Sequence, residues 1–177
     1  LMILLPVLNE AEGLEAVLKR IPHQSLGEIG WESDVVIIDG KSTDNSQQIG
    51  LDAGCTVLVQ PSRGKGEAVR LGFDYAIRQQ YDALVMFDAD QTYDPQDMIR
   101  MLKRLNQGRV VVGNRLSTLL AVDAMSPTNW IGNHLLTMSA VLLHGTEIHD
   151  VCSGYWLFHR DALLQMNLNS MDFEIEA

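Results

Sequence analysis

The chain opens with an apolar run, Met2-Ile3-Leu4-Leu5, closed by Pro6, the pattern of a buried strand at the point where it leaves a sheet. Asn9 stands where a helix cap belongs, Glu12 follows three residues later as in a capping box, and Leu14, Val17, Leu18 and Ile21 recur at helical spacing. A helix ending near Arg20 is expected. Val35-Val36-Ile37-Ile38 predicts a second strand, with Ser42 or Asp44 capping the helix after it and Gly54 at the position where glycine closes a helix. Thr56-Val57-Leu58-Val59 is the third strand. A helix over roughly residues 66–80 puts Val69, Phe73, Ala76 and Ile77 on one stripe, and Ala83 to Phe87 is the fourth strand. Asp94-Pro95 starts a further helix, with Met98, Met101, Leu102 and Leu105 facing inward.

Strand and helix thus alternate four times over residues 1–113, which predicts an α/β architecture: an open, mostly parallel, Rossmann-like sheet with helices on both faces. Beyond Val110-Val111-Val112-Gly113 the rhythm breaks into a long loop, a helix around residues 131–143 and a short strand near residues 155–158. No repeat or low-complexity tract divides the chain. Residues 1–177 are expected to form one domain, with residues missing at either end left open.

Charge narrows the class of partner. Thirteen basic against twenty-three acidic residues give a formal charge of −10, which repels nucleic-acid phosphates unless the bases cluster, and they do not. No apolar run approaches the roughly 20 residues that span a bilayer, so the sequence predicts a soluble chain. Cys55 and Cys152 lie far apart without metal-ligand spacing and read as reduced core thiols of a cytoplasmic protein. The five histidines form no compact ligand pattern.

Open α/β sheets bind ligands outside the carboxyl ends of their strands. That rule selects Asn9 and Glu10 after the first strand, Asp39 after the second, Arg63-Gly64-Lys65-Gly66 after the third and Asp88-Ala89-Asp90 after the fourth. Two carboxylates flanking one residue at a strand end repel each other unless a cation joins them. Their hard oxygens suit Mg2+ or Mn2+, which bridges to substrate phosphates. Gly64 and Gly66 let backbone approach a ligand where a helix begins, and Arg63 and Lys65 add positive charge there, an arrangement for an anion. Asp39 is placed to accept from a nucleobase N–H or a ribose hydroxyl. No glycine-rich dinucleotide turn follows the first strand, which reads Pro-Val-Leu-Asn-Glu-Ala-Glu-Gly, and this argues against a nicotinamide or flavin enzyme.

Six motifs in order, Pro6-Val7-Leu8-Asn9-Glu10, Asp39-Gly40-Lys41-Ser42-Thr43-Asp44, Arg63-Gly64-Lys65-Gly66-Glu67-Ala68, Phe87-Asp88-Ala89-Asp90, Gly113-Asn114-Arg115 and Asp150-Val151-Cys152-Ser153-Gly154-Tyr155, resemble the family 2 inverting glycosyltransferases of GT-A fold, especially the dolichyl-phosphate mannosyltransferase-like branch. The resemblance implies that Pro6, Asn9, Glu10 and Asp39 hold a nucleoside, that Arg63 and Lys65 border the donor, and that Asp88 and Asp90 hold metal and diphosphate. Gln91 joins them as a candidate metal ligand, and Arg115 faces the acceptor or the leaving phosphate. Asn129 and Asn133 stand where that branch carries an arginine and a serine against a lipid phosphate.

The function these readings imply is metal-dependent, inverting transfer of a hexose from GDP-mannose or UDP-glucose to a polyprenyl phosphate of dolichyl type. A lipid acceptor adds peripheral contact with the cytoplasmic face of a membrane. Two alternatives stay open: transfer to a sugar hydroxyl in glycan or polysaccharide synthesis, with Asp150 as the base, and a catalytically silent nucleotide-sugar binding module. The oligomeric state is left open.

Overall fold

The structure is a computed structural model that describes residues 1–105, 108–114, 127–145 and 149–166, with backbone alone at 127–131 and 144. In chain order its elements are β1 (Met2–Val7), α1 (Ala11–Leu18), α2 (His23–Glu28), β2 (Asp34–Asp39), α3 (Ser46–Asp52), β3 (Thr56–Val59), α4 (Lys65–Arg78) and β4 (Ala83–Met86). A 3-10 turn (Pro95–Asp97) then leads into α5 (Met98–Leu105), followed by β5 (Val110–Val112), α6 (Pro127–His144), β6 (Trp156–His159) and α7 (Arg160–Leu163).

The six strands form one sheet in the order β3-β2-β1-β4-β6-β5. β1 pairs in parallel with β2 and β4, and β2 in parallel with β3. β6 runs antiparallel between β4 and β5, so the parallel run expected over residues 1–113 is interrupted by a strand that comes later in sequence. The apolar runs are continuous, not alternating, because helices cover both faces of the parallel strands. Ile3, Leu5, Val7, Val35, Ile37, Val85 and Phe87 pack with α1, α2 and α5, while Met2, Leu4, Val36, Ile38, Leu84 and Met86 pack with α4 and α7.

From β1 to β3 the chain steps outward in one direction. From β3 it returns across β2 and β1 to lay down β4, and a right-handed crossover in that reverse direction puts α4 on the opposite face. The direction therefore switches between β1 and β4, which opens a crevice at their carboxyl ends. Pro6 widens it. Leu4 O accepts from Phe87 N at 3.4 Å and Val7 O from Gly40 N at 2.8 Å, an alternation that turns the Pro6 nitrogen toward β4. Pairing of β1 with β4 has stopped at Leu4–Met86, so the missing N–H costs no ladder bond.

Several local expectations are corrected. Asn9 does not cap α1: Glu10 occupies the cap position without a side-chain bond, and Asn9 Oδ1 instead accepts from Thr43 N at 2.7 Å. The first amides of α1 are satisfied from the neighbouring loop, Glu10 N by Ser46 Oγ at 3.1 Å and Ala11 N by Asp44 Oδ2 at 3.1 Å. Ser42 does not cap α3; Asn45 holds that position, and Asp44 just before it accepts from Ser46 N at 3.0 Å. The helix α2, in His-Gln-Ser-Leu-Gly-Glu, carries only Leu26 into the core and lacks a readable stripe. Cys55 and Cys152 form no disulfide and are half-buried, not core residues.

Over residues 132–143 helix α6 is turned inside out. Asn133 is buried and donates to Asp150 Oδ1 at 3.1 Å, and Thr137 Oγ1 accepts from Val151 N at 3.1 Å, so polar side chains hold it to the protein. Leu135, Leu136, Met138, Leu142 and Leu143 are exposed. Among the described residues no helix is long and apolar enough to cross a membrane.

Candidate active site

Four loops meet at the carboxyl end of the sheet. Those leaving β1 and β2 are stitched together: besides the Asn9–Thr43 bond, Asn9 N donates to Ser42 Oγ at 2.9 Å. Among the described residues four non-glycine residues have positive φ, and three of them, Asn9, Lys41 and Gln91, lie in the loops after β1, β2 and β4. Such backbone persists where surrounding contacts hold it, and it concentrates at ligand sites.

Asp39 ends β2 and is fully buried. Its Oδ1 accepts from Ser42 N at 3.0 Å and from Gln47 Nε2 at 2.7 Å. Its Oδ2 is buried with no hydrogen-bond partner among the described residues. An unpaired buried carboxylate oxygen is costly, and such groups are few in folded proteins.

Asp88 and Asp90 follow β4 in a turn pressed against α1, where a side chain on Gly13 would begin 2.4 Å from the Ala89 carbonyl oxygen. Asp88 Oδ1 pairs with Lys65 Nζ at 2.6 Å, with the Lys65 side chain only 12% exposed. Lys65 is the first residue of α4, entered through Gly64 at φ 110°, a conformation that glycine adopts without strain. Asp90 is exposed and accepts from Thr92 N at 2.9 Å. Gln91 and Arg63 are exposed beside these groups in sequence, and Glu10 is half-buried at the start of α1.

Asp150 stands apart in environment. It is 1% exposed and bonded to Asn133, whose Oδ1 is itself buried and without a partner among the described residues. The turn after it is anchored by Gly154 N donating to the Tyr93 hydroxyl. Burial raises the Tyr155 phenol far above its ordinary value, with Asp97 adding to the shift. Arg115 lies outside the described residues, as does the Asn129 side chain.

Among the described residues no three His, Cys, Asp or Glu side chains gather as a metal cluster. The Asp88/Asp90 pair nevertheless fits Mg2+ or Mn2+, ions commonly held by one or two carboxylates and completed by phosphate oxygens and water. Sequence reasoning missed Gln47 and Gly13. Gly13 carried a signal, since a glycine inside a helical pattern marks close approach of another group. Gln47 carried none.

Comparison with known proteins bears on this arrangement. The profile of Glycosyl transferase family 2 matches residues 2–166. Glycosyltransferase AglJ of Haloferax volcanii is 35% identical over 175 residues, covering 98% of this chain and 55% of its own length. Polyprenol monophosphomannose synthase of Mycolicibacterium smegmatis is 28% identical over 188 residues, covering 97% of this chain and 66% of its own. The crystal structure of glucosyl-3-phosphoglycerate synthase from Mycobacterium tuberculosis in complex with Mn2+, uridine-diphosphate and phosphoglyceric acid superposes with a TM-score of 0.70 at 20% identity, over 99% of this chain and 60% of that one. The chain thus spans little more than half the length of the first of these relatives. A profile match over nearly the whole sequence settles the family, and the synthase shares the sheet: the chain belongs to Glycosyl transferase family 2, with the GT-A fold.

Proposed function

We propose that residues 1–177 are the catalytic domain of an inverting hexosyltransferase that takes its sugar from a nucleoside-diphosphate donor, GDP-mannose or UDP-glucose, and delivers it to a polyprenyl phosphate. The observation that carries this reading is the Lys65–Asp88 pair at the β1/β4 switch point, with Asp90 two residues on in the same turn, one strand from a buried Asp39 oxygen without a partner among the described residues.

In this reading Asp39 Oδ2 accepts from the nucleobase or ribose, and the nucleoside reaches it by displacing what covers it. Pro6, Asn9 and Glu10 shape the wall between β1 and β2, with Asn9 holding the two loops in register through Thr43. Asp88 and Asp90 hold Mg2+ or Mn2+, with Gln91 beside them. When bound, the ion neutralises charge on the diphosphate. Lys65, Arg63 and the amino end of α4 face the same phosphates and stabilise the charge that develops as the glycosidic bond breaks. Arg115 meets the acceptor or the leaving phosphate. The acceptor oxygen attacks the anomeric carbon on the face opposite the diphosphate, which inverts its configuration.

The acceptor is the finer choice. A phosphate is already anionic and needs no base, whereas a sugar hydroxyl does. Asp150, buried and bonded to Asn133, is better placed to anchor α6 than to take a proton from a substrate. The similarity to a polyprenol monophosphomannose synthase favours the lipid phosphate, and with it work at a membrane surface. The test is transfer of labelled hexose from each nucleotide-sugar to a short polyprenyl phosphate and to the matching alcohol. Product from the phosphate alone supports the reading; equal use of both overturns the phosphate acceptor, and no transfer from any donor overturns the enzyme.

A further inference from the structure

Lys65 holds the carboxylate on which a divalent cation depends. Its ammonium is 2.6 Å from Asp88 Oδ1, and the two side chains are 12% and 29% exposed, so the contact is shielded from solvent. The partners differ in freedom. Asp88 sits in a turn held against Gly13, where the Ala89 carbonyl leaves no room even for a methyl group. Lys65 carries its charge on a flexible four-carbon stem at the first turn of α4. If one of the two leaves the contact, it is the lysine.

With Lys65 in place, an incoming Mg2+ or Mn2+ finds one of its two carboxylates neutralised and meets an ammonium a few ångströms away, a like-charge repulsion that weakens binding. A nucleoside diphosphate changes both terms. Its oxygens offer the ammonium a stronger acceptor and complete the coordination of the cation. We propose that Lys65 is a surrogate cation that occupies Asp88 in the nucleotide-free protein and is drawn to the diphosphate when the donor arrives, so that metal and nucleotide bind together and neither binds well alone. This rests on the donor-site reading above and adds an order to it: the cation enters with, or after, the nucleotide. Coupling of this kind is reciprocal, so the factor by which nucleotide tightens metal equals the factor by which metal tightens nucleotide.

The experiment measures Mn2+ affinity by electron paramagnetic resonance of the free ion, with and without saturating UDP or GDP, for the native protein, Lys65→Met and Lys65→Arg. The nucleotide-free Lys65→Met protein is expected to bind Mn2+ about fivefold or more tighter than native, because the competing charge is gone. The tightening of Mn2+ by nucleotide shrinks in the same variant, and Lys65→Arg keeps the weak native affinity. Thermal melting establishes that each variant is folded, and Lys65→Gln replaces the methionine variant if that one is not. Equal or weaker Mn2+ binding by the folded uncharged variant overturns the proposal while leaving the donor site standing. Failure of the native protein to bind Mn2+ even with saturating nucleotide overturns the donor site and the proposal together.

Discussion

Gly13 and Ala89 are in contact across the floor of the crevice: a Cβ on Gly13 would lie 2.4 Å from the Ala89 carbonyl oxygen, closer than any real Cβ approaches an oxygen. The obstacle is backbone, so it cannot rotate away. Gly13→Ala gains roughly 1 kcal/mol of helix propensity and incurs about 1–3 kcal/mol of overpacking. The expected result is a lower melting temperature together with weaker binding of UDP or GDP in the presence of Mn2+, because the Asp88-Ala89-Asp90 turn is pushed off α1. Calorimetry checks the second effect. Unchanged nucleotide affinity in a destabilised variant would separate the turn from the donor.

Asp39 should read the nucleoside and not the sugar. Asp39→Ala is expected to weaken UDP or GDP and the corresponding nucleotide-sugar by similar factors. Gln47→Leu removes one of the two donors that fix Oδ1, and it should weaken both ligands by roughly 5- to 30-fold, the factor that about 1–2 kcal/mol makes. Loss confined to the sugar-bearing donor would move Asp39 to the hexose.

Asp44 gives the stitched loops a pH dependence. Hydrogen bonds from Ser46, first from its hydroxyl and then from its amide, hold the Asp44 carboxyl below its ordinary value of 3.8, with the Ala11 amide adding to the shift. A carboxyl whose folded pKa is depressed stabilises the fold above its unfolded pKa and loses that contribution as pH falls through the folded value. Asp44→Asn should therefore melt below the native protein at pH 7, with the gap closing in acid well below 3.8, where the native carboxyl takes up its proton. Parallel melting curves at both pH values check this. A gap that persists unchanged at acid pH would contradict the assignment.

The sheet was legible in the sequence because its strands are continuous apolar runs closed by turn residues, as in Met2–Val7 and Ala83–Met86. The positions of Asp39 and Asp88 at strand ends followed from that alone. What was not legible depends on contacts distant in sequence. Asn9 looks like a cap by local chemistry, yet the loop after β2 supplies the bonds that finish α1, and only folding brings Ser46 and Asp44 to it. The insertion of β6 between β4 and β5 is a matter of long-range pairing to which the run Val110-Val111-Val112 gives no clue. Within the site, the Lys65–Asp88 pair spans 23 residues and Gln47 carries no motif, so neither relation could be read without coordinates.

Asp150 and Asn133 separate an anchor from a base. Asn133→Ala leaves a buried carboxylate with one donor fewer and should cost about 1–3 kcal/mol of stability. Asp150→Asn should also lower the melting temperature, yet leave kcat with a polyprenyl phosphate within a few-fold of native, since that acceptor has no proton to give up. A folded Asp150→Asn protein whose kcat collapses would make Asp150 the base and the acceptor a hydroxyl.

In the proposed reading a nucleoside-diphosphate site is assembled around Asp88 and Asp90. Without a cation those carboxylates repel a diphosphate, and with one they bind it through shared oxygens. The most direct test is calorimetric titration of UDP and GDP into the native protein with Mn2+ and with excess chelator, repeated for Asp90→Asn. One of the two nucleotides should bind with Mn2+ and lose on the order of 100-fold in affinity under chelator, and the variant should behave with Mn2+ as the native protein does without it. Equal affinity with Mn2+ and with chelator would contradict the account.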